Sequence, residues 1–189
     1  MRSSLFLKNS GLHGMLQKNQ VPPKVRTEVA NKIINICRVL NNHTVQYMVV
    51  GGTAVAYHGY FRWSVDGKGL AAEKFDLDFW YNPTYKNYFN LLNALQEMGQ
   101  DAERFKKEQS PDPKNSFFRF ELENFTIDYL PKLKGLNSFR KSFDNCDIVT
   151  LDGVEISFLS LDDLIADKSA QSRPQDLEDI KELKKRNSK

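Results

Sequence analysis

Residues 75–81, Phe-Asp-Leu-Asp-Phe-Trp-Tyr, constrain the fold most strongly, because large apolar side chains alternate there with acids. Such alternation predicts a β-strand, in which residues two apart point to the same face of a sheet. Asp76 and Asp78 therefore stand side by side on one face. Neighbouring carboxylates repel each other, and a hard divalent cation such as Mg²⁺ relieves that repulsion. The pair predicts a magnesium site or, alternatively, two acids that are solvated at the end of a strand.

A third acid, Asp128, lies within the apolar segment Phe125–Leu130, which alternation predicts to be the second strand of a hairpin with Phe118–Leu122. An acid in such a strand needs a partner, which could be a backbone group or an arginine such as Arg119. Alternatively, it joins the first two acids. Three carboxylates could hold two cations, which would clamp the attacking and leaving oxygens of a phosphoryl transfer.

The sequence Gly51-Gly52-Thr53 follows an apolar strand predicted over Val45–Val50 and precedes a short helix predicted over Ala54–His58. Glycines let the backbone approach a ligand closely, and a helix N-terminus presents free N–H groups. The turn therefore suits the phosphates of a nucleotide. The alternative is a plain glycine turn in which the Thr53 hydroxyl caps the helix.

The remaining segments predict an α+β fold, with a mixed or antiparallel sheet, helices on one face and further helices at the C-terminus. Helical spacing of apolar residues indicates a first helix from Val25 to about Leu40. The other predicted elements are a helix after Asn82-Pro83, a hairpin of Ile148–Leu151 and Val154–Phe158, a helix from Leu161 to about Ala170, and a last helix from Pro174.

Three regions follow from this order. Residues 1–24 form a basic, loosely ordered N-terminal segment, and residues 25–160 form the core. Residues 161–189 form C-terminal helices that pack on the core, with Leu177, Ile180 and Leu183 facing inward.

The glycine turn, the Asp76-Leu77-Asp78 strand and Asp128, in this order, resemble the polymerase-beta-like nucleotidyltransferase superfamily. The resemblance is to its minimal bacterial form, which includes toxin–antitoxin and abortive-infection members. It implies that Asp76, Asp78 and Asp128 are catalytic and bind Mg²⁺, while Gly51, Gly52 and Thr53 hold the triphosphate. Asp128 would also help to deprotonate an acceptor hydroxyl, which attacks the α-phosphorus and releases pyrophosphate.

The C-terminal region is similar to that of small family members, in which a lysine, an arginine and an aspartate recur as Lys168, Arg173 and Asp176 do here. The resemblance implies that Lys168 contacts the nucleotide. The alternative is a solvated helix face, or salt bridges from Lys168 and Arg173 to Asp163 and Asp167.

Arg62 and Lys74 are two further candidates for nucleotide binding. Arg62 ends a Gly-X-X-Arg stretch that resembles the family pattern, but an extra segment, roughly residues 63–73, then precedes the acid pair. Lys74 occupies a position where the family often has threonine, so it is either a phosphate contact or an exposed strand residue. The extra segment is either a lid or an insertion that blocks the usual ligand.

The overall composition sets few further limits. The net charge of +3 permits a nucleic-acid partner without requiring one, and two cysteines do not make a disulfide framework. We expect a cytoplasmic protein without a membrane span. The expected function is Mg²⁺-dependent nucleotidyl transfer from a nucleoside triphosphate to a hydroxyl or phosphate of a tRNA, a protein or a small molecule. The alternative is a non-catalytic binding or antitoxin-like protein that keeps the fold.

Overall fold

The computed structural model describes residues 23–61 and 74–188 of the chain. Its helices are α1 (Pro23–Asn42), α2 (Gly51–Tyr57), α3 (Tyr85–Glu97), α4 (Glu103–Lys106), α5 (Phe139–Asp144), α6 (Leu161–Gln171) and α7 (Pro174–Asn187). Its strands are β1 (Tyr47–Val49), β2 (Phe75–Tyr81), β3 (Phe118–Glu121), β4 (Phe125–Leu130), β5 (Asp147–Leu151) and β6 (Val154–Phe158). Arg62, the 63–73 segment, residues 1–22 and Lys189 lie outside the described residues.

The strands of the described ranges form one mixed sheet in the order β3-β4-β2-β1-β6-β5. At its centre, β2 runs parallel to β4 and antiparallel to β1, which in turn pairs in parallel with β6. The edge strands β3 and β5 pair antiparallel with their hairpin partners. The predicted α+β fold with a mixed sheet is therefore confirmed.

The local turns follow from the residues that form them. The β5–β6 hairpin turns at Asp152 and Gly153, whose φ angles are 46° and 74°. Positive φ at both central positions matches the twist of the flanking strands, and aspartate followed by glycine tolerates it well. Ser160 then caps α6, because its side chain accepts a hydrogen bond from the backbone N–H of Asp163 at 3.4 Å.

The two faces of the sheet differ in what covers them. On one face, α1 and α3 pack together over buried residues of β4 that include Ile127 and Tyr129. The opposite face carries Trp80, whose ring packs edge-on against that of Phe139 of α5, with the ring centroids 5.1 Å apart. The indole N–H of Trp80 donates a hydrogen bond to the carbonyl of Pro131 at 3.2 Å. The acids of β2 lie on the same face as Trp80, next to this covered region.

The inward face of α7 differs from the prediction. Leu183 is buried, but Leu177 is 57% exposed, so its predicted inward position is wrong. Asp176 and Asp179 are fully buried instead. Residues 176, 179, 180 and 183 share one face of a helix, and residue 177 falls outside that face. The inward acids are stable there because a buried lysine of α6 lies opposite them.

Two short helices, α4 and α5, did not show in the sequence, because four and six residues are too few to establish a helical period. The helix at the glycine turn, α2, begins at Gly51 rather than at Ala54, so the two glycines form its first turn. In the described parts of the chain, no helix combines the length and the apolar character that crossing a membrane requires.

Candidate active site

The three aspartates meet because β2 and β4 pair in parallel. Asp78 lies directly opposite Asp128 in this pairing, and Asp76 lies opposite Thr126. Paired residues of adjacent strands point to the same face of the sheet, so all three carboxylates share the face that α1 and α3 leave uncovered. Asp76 is exposed, Asp78 is partly buried and Asp128 is 8% exposed. The register thus assembles the predicted acids at one place.

Gly51 brings the glycine turn against the acid pair. The backbone N–H of Val50 donates to the carbonyl of Asp78 at 2.9 Å, which fixes the end of β1 beside β2. Gly51 has a φ of 60°, and a Cβ built on it would lie 1.9 Å from Oδ2 of Asp78. The Asp78 carboxylate therefore occupies the space that a larger residue at position 51 would need. Only glycine permits this approach without strain.

The carboxyl group of Asp78 is electrostatically unfavourable in its ionised form. Burial, together with the negative charges of Asp128 and Asp76, raises the pKa of Asp78 to about 7, although Lys168 and Arg119 act in the opposite direction. A carboxyl group in this state gains from any cation that binds beside it. A cation bound beside Asp78 would therefore lower its pKa and stabilise the ionised carboxylate.

Arg119 of β3 holds Asp128. Its Nε and one terminal nitrogen donate to the two carboxylate oxygens of Asp128 at 2.8 Å and 2.6 Å. The two residues face each other across the β3–β4 pairing, so this bidentate ion pair follows from the hairpin register. The arginine that the sequence offered as an alternative partner of Asp128 is therefore present as a partner.

The acids, the glycine turn and several basic residues line one open cavity of about 440 Å³. Asp76, Asp78 and Asp128 line it together with Gly51 and Gly52. The basic residues that line it are Arg119, Lys132, Lys134, Lys168 and Arg173. A cavity with acids at its centre and cations around them suits an anionic ligand that binds through a divalent metal ion.

Two predicted nucleotide contacts do not line this cavity, and a third cannot be placed. The Thr53 hydroxyl donates to the backbone carbonyl of Asp76 at 3.3 Å and is buried, so it positions α2 against β2. Lys74 lies 3.6 Å from Glu121 of β3 in an exposed ion pair. Arg62 lies outside the described residues.

Lys168 lies at the cavity but directs its charge into the protein. Its Nζ is 3.0 Å from Oδ1 of Asp176 and 2.7 Å from Oδ2 of Asp179, and the lysine is 3% exposed. Arg173 also pairs with Asp176, at 2.7 Å. The expected alternative partners, Asp163 and Asp167, are therefore wrong, because the helix that follows supplies the buried carboxylates.

Asp176 is held in its ionised form within this cluster. Burial alone would raise its pKa, but hydrogen bonds from Arg173 and Lys168 outweigh burial, and the pKa of Asp176 is lowered. The cluster joins the end of α6 to the start of α7. It therefore fixes the side of the cavity that Lys168 and Arg173 line.

Lys132 and Lys134 were missed at the sequence level. They alternate with Leu133 directly after the acid-bearing strand β4, and both line the cavity. This alternation is the only sequence signal that could have indicated them, since lysines after a strand are usually solvated loop residues.

The carboxylates of the cavity fit one hard cation more readily than two. Asp76 and Asp78 stand on one face of β2, and a cation between them would offset the repulsion that raises the pKa of Asp78. Both oxygens of Asp128, by contrast, accept hydrogen bonds from Arg119. In residues 23–61 and 74–188, no three His, Cys, Asp or Glu side chains are gathered closely enough to hold a metal ion. The three-aspartate magnesium site stays a prediction, in which Asp128 would coordinate through the lone pairs that Arg119 leaves free.

We expect Gly51→Ala to lower the free energy of unfolding by about 1–2 kcal/mol, because its left-handed backbone would be strained. The added Cβ would also displace Oδ2 of Asp78. Gly52→Ala is the matched control, since nothing lies within 4 Å of a Cβ built there. Urea denaturation of both variants measures the difference. Equal stability of the two variants would contradict the close approach of Gly51 and Asp78.

Comparisons with known proteins identify the family of the chain. The family model described as "Nucleotidyl transferase of unknown function (DUF2204)" matches residues 29–189. Among solved structures, a Thermotoga maritima protein provisionally assigned as a nucleotidyltransferase is 17% identical; the alignment covers 85% of this chain and 92% of that chain, with a TM-score of 0.47. No curated protein matches the sequence. The matched residues include the glycine turn, the three aspartates and the helices α6 and α7.

Proposed function

The chain belongs to a family of nucleotidyl transferases of unknown function, and from this premise we propose that its cavity binds a nucleoside triphosphate. The nucleotidyl group is transferred to a hydroxyl or phosphate of an acceptor, which is a tRNA, another protein or a small molecule. Asp76 and Asp78 would hold Mg²⁺, which, when bound, supplies neutralising charge beside the triphosphate.

The close approach of Gly51 to Asp78 carries this proposal. A turn that suits phosphates and a carboxylate that suits a hard cation are in contact, because Oδ2 of Asp78 fills the place of a Cβ at Gly51. A triphosphate on the turn would therefore lie directly beside the acid pair. This adjacency is what nucleotidyl transfer requires, because its catalysis rests on positioning and charge neutralisation.

Within this proposal, Asp128 acts as the base of the transfer step. The acceptor oxygen attacks the α-phosphorus, the bond from that phosphorus to the bridging oxygen breaks, and pyrophosphate leaves with the bonding electrons. Asp128 receives the proton of the acceptor hydroxyl. Each oxygen of Asp128 accepts one hydrogen bond from Arg119, and a carboxylate oxygen has a second lone pair that can accept this proton.

One observation favours a second function, a non-catalytic or antitoxin-like binding protein. Arg119 engages both oxygens of Asp128, and a bidentate pair of this kind competes with metal coordination. If the pair prevents Asp128 from receiving the acceptor's proton or from joining the metal site, the cavity binds its ligand without chemistry. Magnesium dependence and pyrophosphate release separate the two functions.

The proposal predicts that a nucleoside triphosphate with Mg²⁺ stabilises the protein. At ten times its Kd, a ligand adds about 1.4 kcal/mol, or roughly 3–6 °C in Tm for a chain of this size. Thermal unfolding with each of the common nucleoside triphosphates, with and without Mg²⁺, measures the shift, and a pyrophosphate assay follows turnover. The shift is expected to vanish in Asp76→Asn/Asp78→Asn.

The matched control is Asp101→Asn/Asp144→Asn, which removes two exposed carboxylates that do not line the cavity. This variant is expected to keep the wild-type shift. If no nucleotide stabilises the wild-type protein, the transferase proposal is wrong. If a nucleotide binds but no pyrophosphate appears with any acceptor tested, the binding function is favoured.

A further inference from the structure

The order and register of the strands place the glycine turn and the lysines Lys132 and Lys134 at different parts of the cavity. Gly51 touches the side chain of Asp78, so the glycine turn lies level with that residue. On the other side, β4 runs parallel to β2 with Leu130 opposite Trp80, and Lys132 follows two residues later. Lys132 thus follows the end of β4, beyond the level of Asp78 in the direction of β2. In the strand order β4-β2-β1, the acids of β2 therefore lie between the glycine turn that follows β1 and the lysines that follow β4.

Lys132 and Lys134 differ from the other basic residues of the cavity. Arg119, Lys168 and Arg173 each pair with a carboxylate of the protein. In the described parts of the chain, Lys132 and Lys134 have no acidic partner. Lys132 donates only to the side-chain carbonyl of Asn115, at 2.9 Å. These two lysines are therefore the cavity cations whose charge is available to a ligand.

The loop that carries the lysines is fixed on both sides. The indole N–H of Trp80 donates to the carbonyl of Pro131, and Leu133 between the lysines is buried. Gly135 packs directly on α6: its N–H donates to Asp167 at 3.1 Å, and a Cβ built there would lie 2.5 Å from backbone atoms of α6. The loop thus fixes the backbone of both lysines at the cavity before a ligand arrives, which reduces the entropy cost of binding.

From this arrangement, we propose that Lys132 and Lys134 form a second anion site, which binds a phosphate of the acceptor. The inference rests on the proposed function. In phosphoryl transfer, the attacking and leaving oxygens lie on opposite sides of the phosphorus, roughly in line. If pyrophosphate leaves on the side of Gly51 and Gly52, the acceptor enters from the opposite side, where the two lysines lie. The acceptor is therefore a phosphate-bearing molecule, either a nucleic-acid strand or a small phosphate monoester.

The test compares Lys132→Gln/Lys134→Gln with Lys86→Gln/Lys107→Gln. The control removes the same charge from exposed lysines of α3 and the end of α4 that do not line the cavity. Three probes are titrated at low salt: a short fluorescein-labelled single-stranded RNA followed by anisotropy, glycerol 3-phosphate followed by calorimetry, and nucleoside triphosphates with Mg²⁺. All four replaced lysines are exposed, so both variants are expected to fold, which circular dichroism checks.

We expect the cavity variant to bind a phosphate-bearing probe at least ~10-fold more weakly than the wild type, with unchanged affinity for nucleoside triphosphates. If RNA is the probe affected, the slope of log affinity against log salt should fall by about 1.4, because two phosphate contacts are lost. Loss of RNA binding alone assigns a nucleic-acid acceptor, and loss of glycerol 3-phosphate binding as well assigns a phosphate monoester.

Three results would overturn the inference. The wild type could bind neither RNA nor glycerol 3-phosphate, the control variant could lose as much affinity as the cavity variant, or the loss could fall on the nucleoside triphosphates alone. The last result would mean that the two lysines bind the nucleoside triphosphate rather than the acceptor. A wild type that binds no nucleoside triphosphate refutes the proposed function instead, and the RNA and glycerol 3-phosphate titrations still report on the lysines.

Discussion

Replacing Lys168 with methionine is expected to lower the free energy of unfolding by about 3–5 kcal/mol, the loss typical when one partner of a buried ion pair is removed. Asp176 and Asp179 have no exposed surface, and Lys168 Nζ lies within 3.0 Å of both carboxylates. Methionine keeps much of the side chain's bulk but leaves Asp179 without this charge partner, while Asp176 keeps Arg173. Urea denaturation at neutral pH measures the loss.

Two further variants make this result specific to the cluster. Lys184→Met, on the exposed side of α7, is the matched control and is expected to change stability by no more than about 0.5 kcal/mol. Lys168→Met/Asp179→Asn removes the buried charge that Lys168 had faced and should recover part of the loss, which also keeps the test usable if Lys168→Met alone does not fold. A Lys168→Met variant as stable as the control would show that the buried cluster does not hold α6 and α7 together.

Asp78→Asn is expected to raise the free energy of unfolding at pH 8 by roughly 2–3 kcal/mol in the absence of metal, while abolishing the response to Mg²⁺ and nucleotide. The pKa of Asp78 is about 7 in the folded protein, raised by burial and by its acidic neighbours, against 3.8 for the ordinary group. The folded state thus holds this proton more tightly than the unfolded state. Ionisation of Asp78 therefore costs stability as the pH rises from about 4 to about 7.

The difference between the variant and the wild type should accordingly be small at pH 4 and largest at pH 8. Asparagine has nearly the same shape as aspartate, so the comparison isolates the charge. Denaturation of both proteins across this pH range gives the difference directly, and Asp76→Asn, at an exposed position, should gain less. A constant difference at all pH values would mean that the charge of Asp78 is not the source of the instability. Mg²⁺ is expected to stabilise the wild type at pH 8 and to leave Asp78→Asn unchanged.

The elements that the sequence predicted well are those whose pattern is local. The alternation in residues 75–81 defined β2 to the residue, and Asp152-Gly153 placed the β5–β6 turn. The candidate acids stood out in the sequence because acids in apolar strands contradict the surrounding pattern. That Asp78 lies opposite Asp128, however, depends on parallel pairing of distant strands, which the spacing of residues along the chain does not encode.

The parts that the sequence did not predict depend on partners from other elements. Leu177 was expected inside, as is usual for leucine, but it is exposed, and Asp176 is buried instead because Lys168 of the preceding helix pairs with it. Lys132 and Lys134 looked like ordinary loop residues, because only the packing of the loop on α6 directs them to the cavity. Charged residues are thus the hardest to place when their partners lie on another element.

The chain order of the cavity has a consequence for protein synthesis. The glycine turn and the three acids belong to residues 51–128, whereas Lys168 and Arg173 leave the ribosome later, with α6 and α7. A nascent chain can therefore pair β1, β2 and β4 and bring the acids together while one side of the cavity is still open to water. β1 must also wait for β6, its parallel partner, because residues 154–158 are made after the acids. The side of the cavity that Lys168 and Arg173 line is therefore formed last, after α6 and α7 have been synthesised.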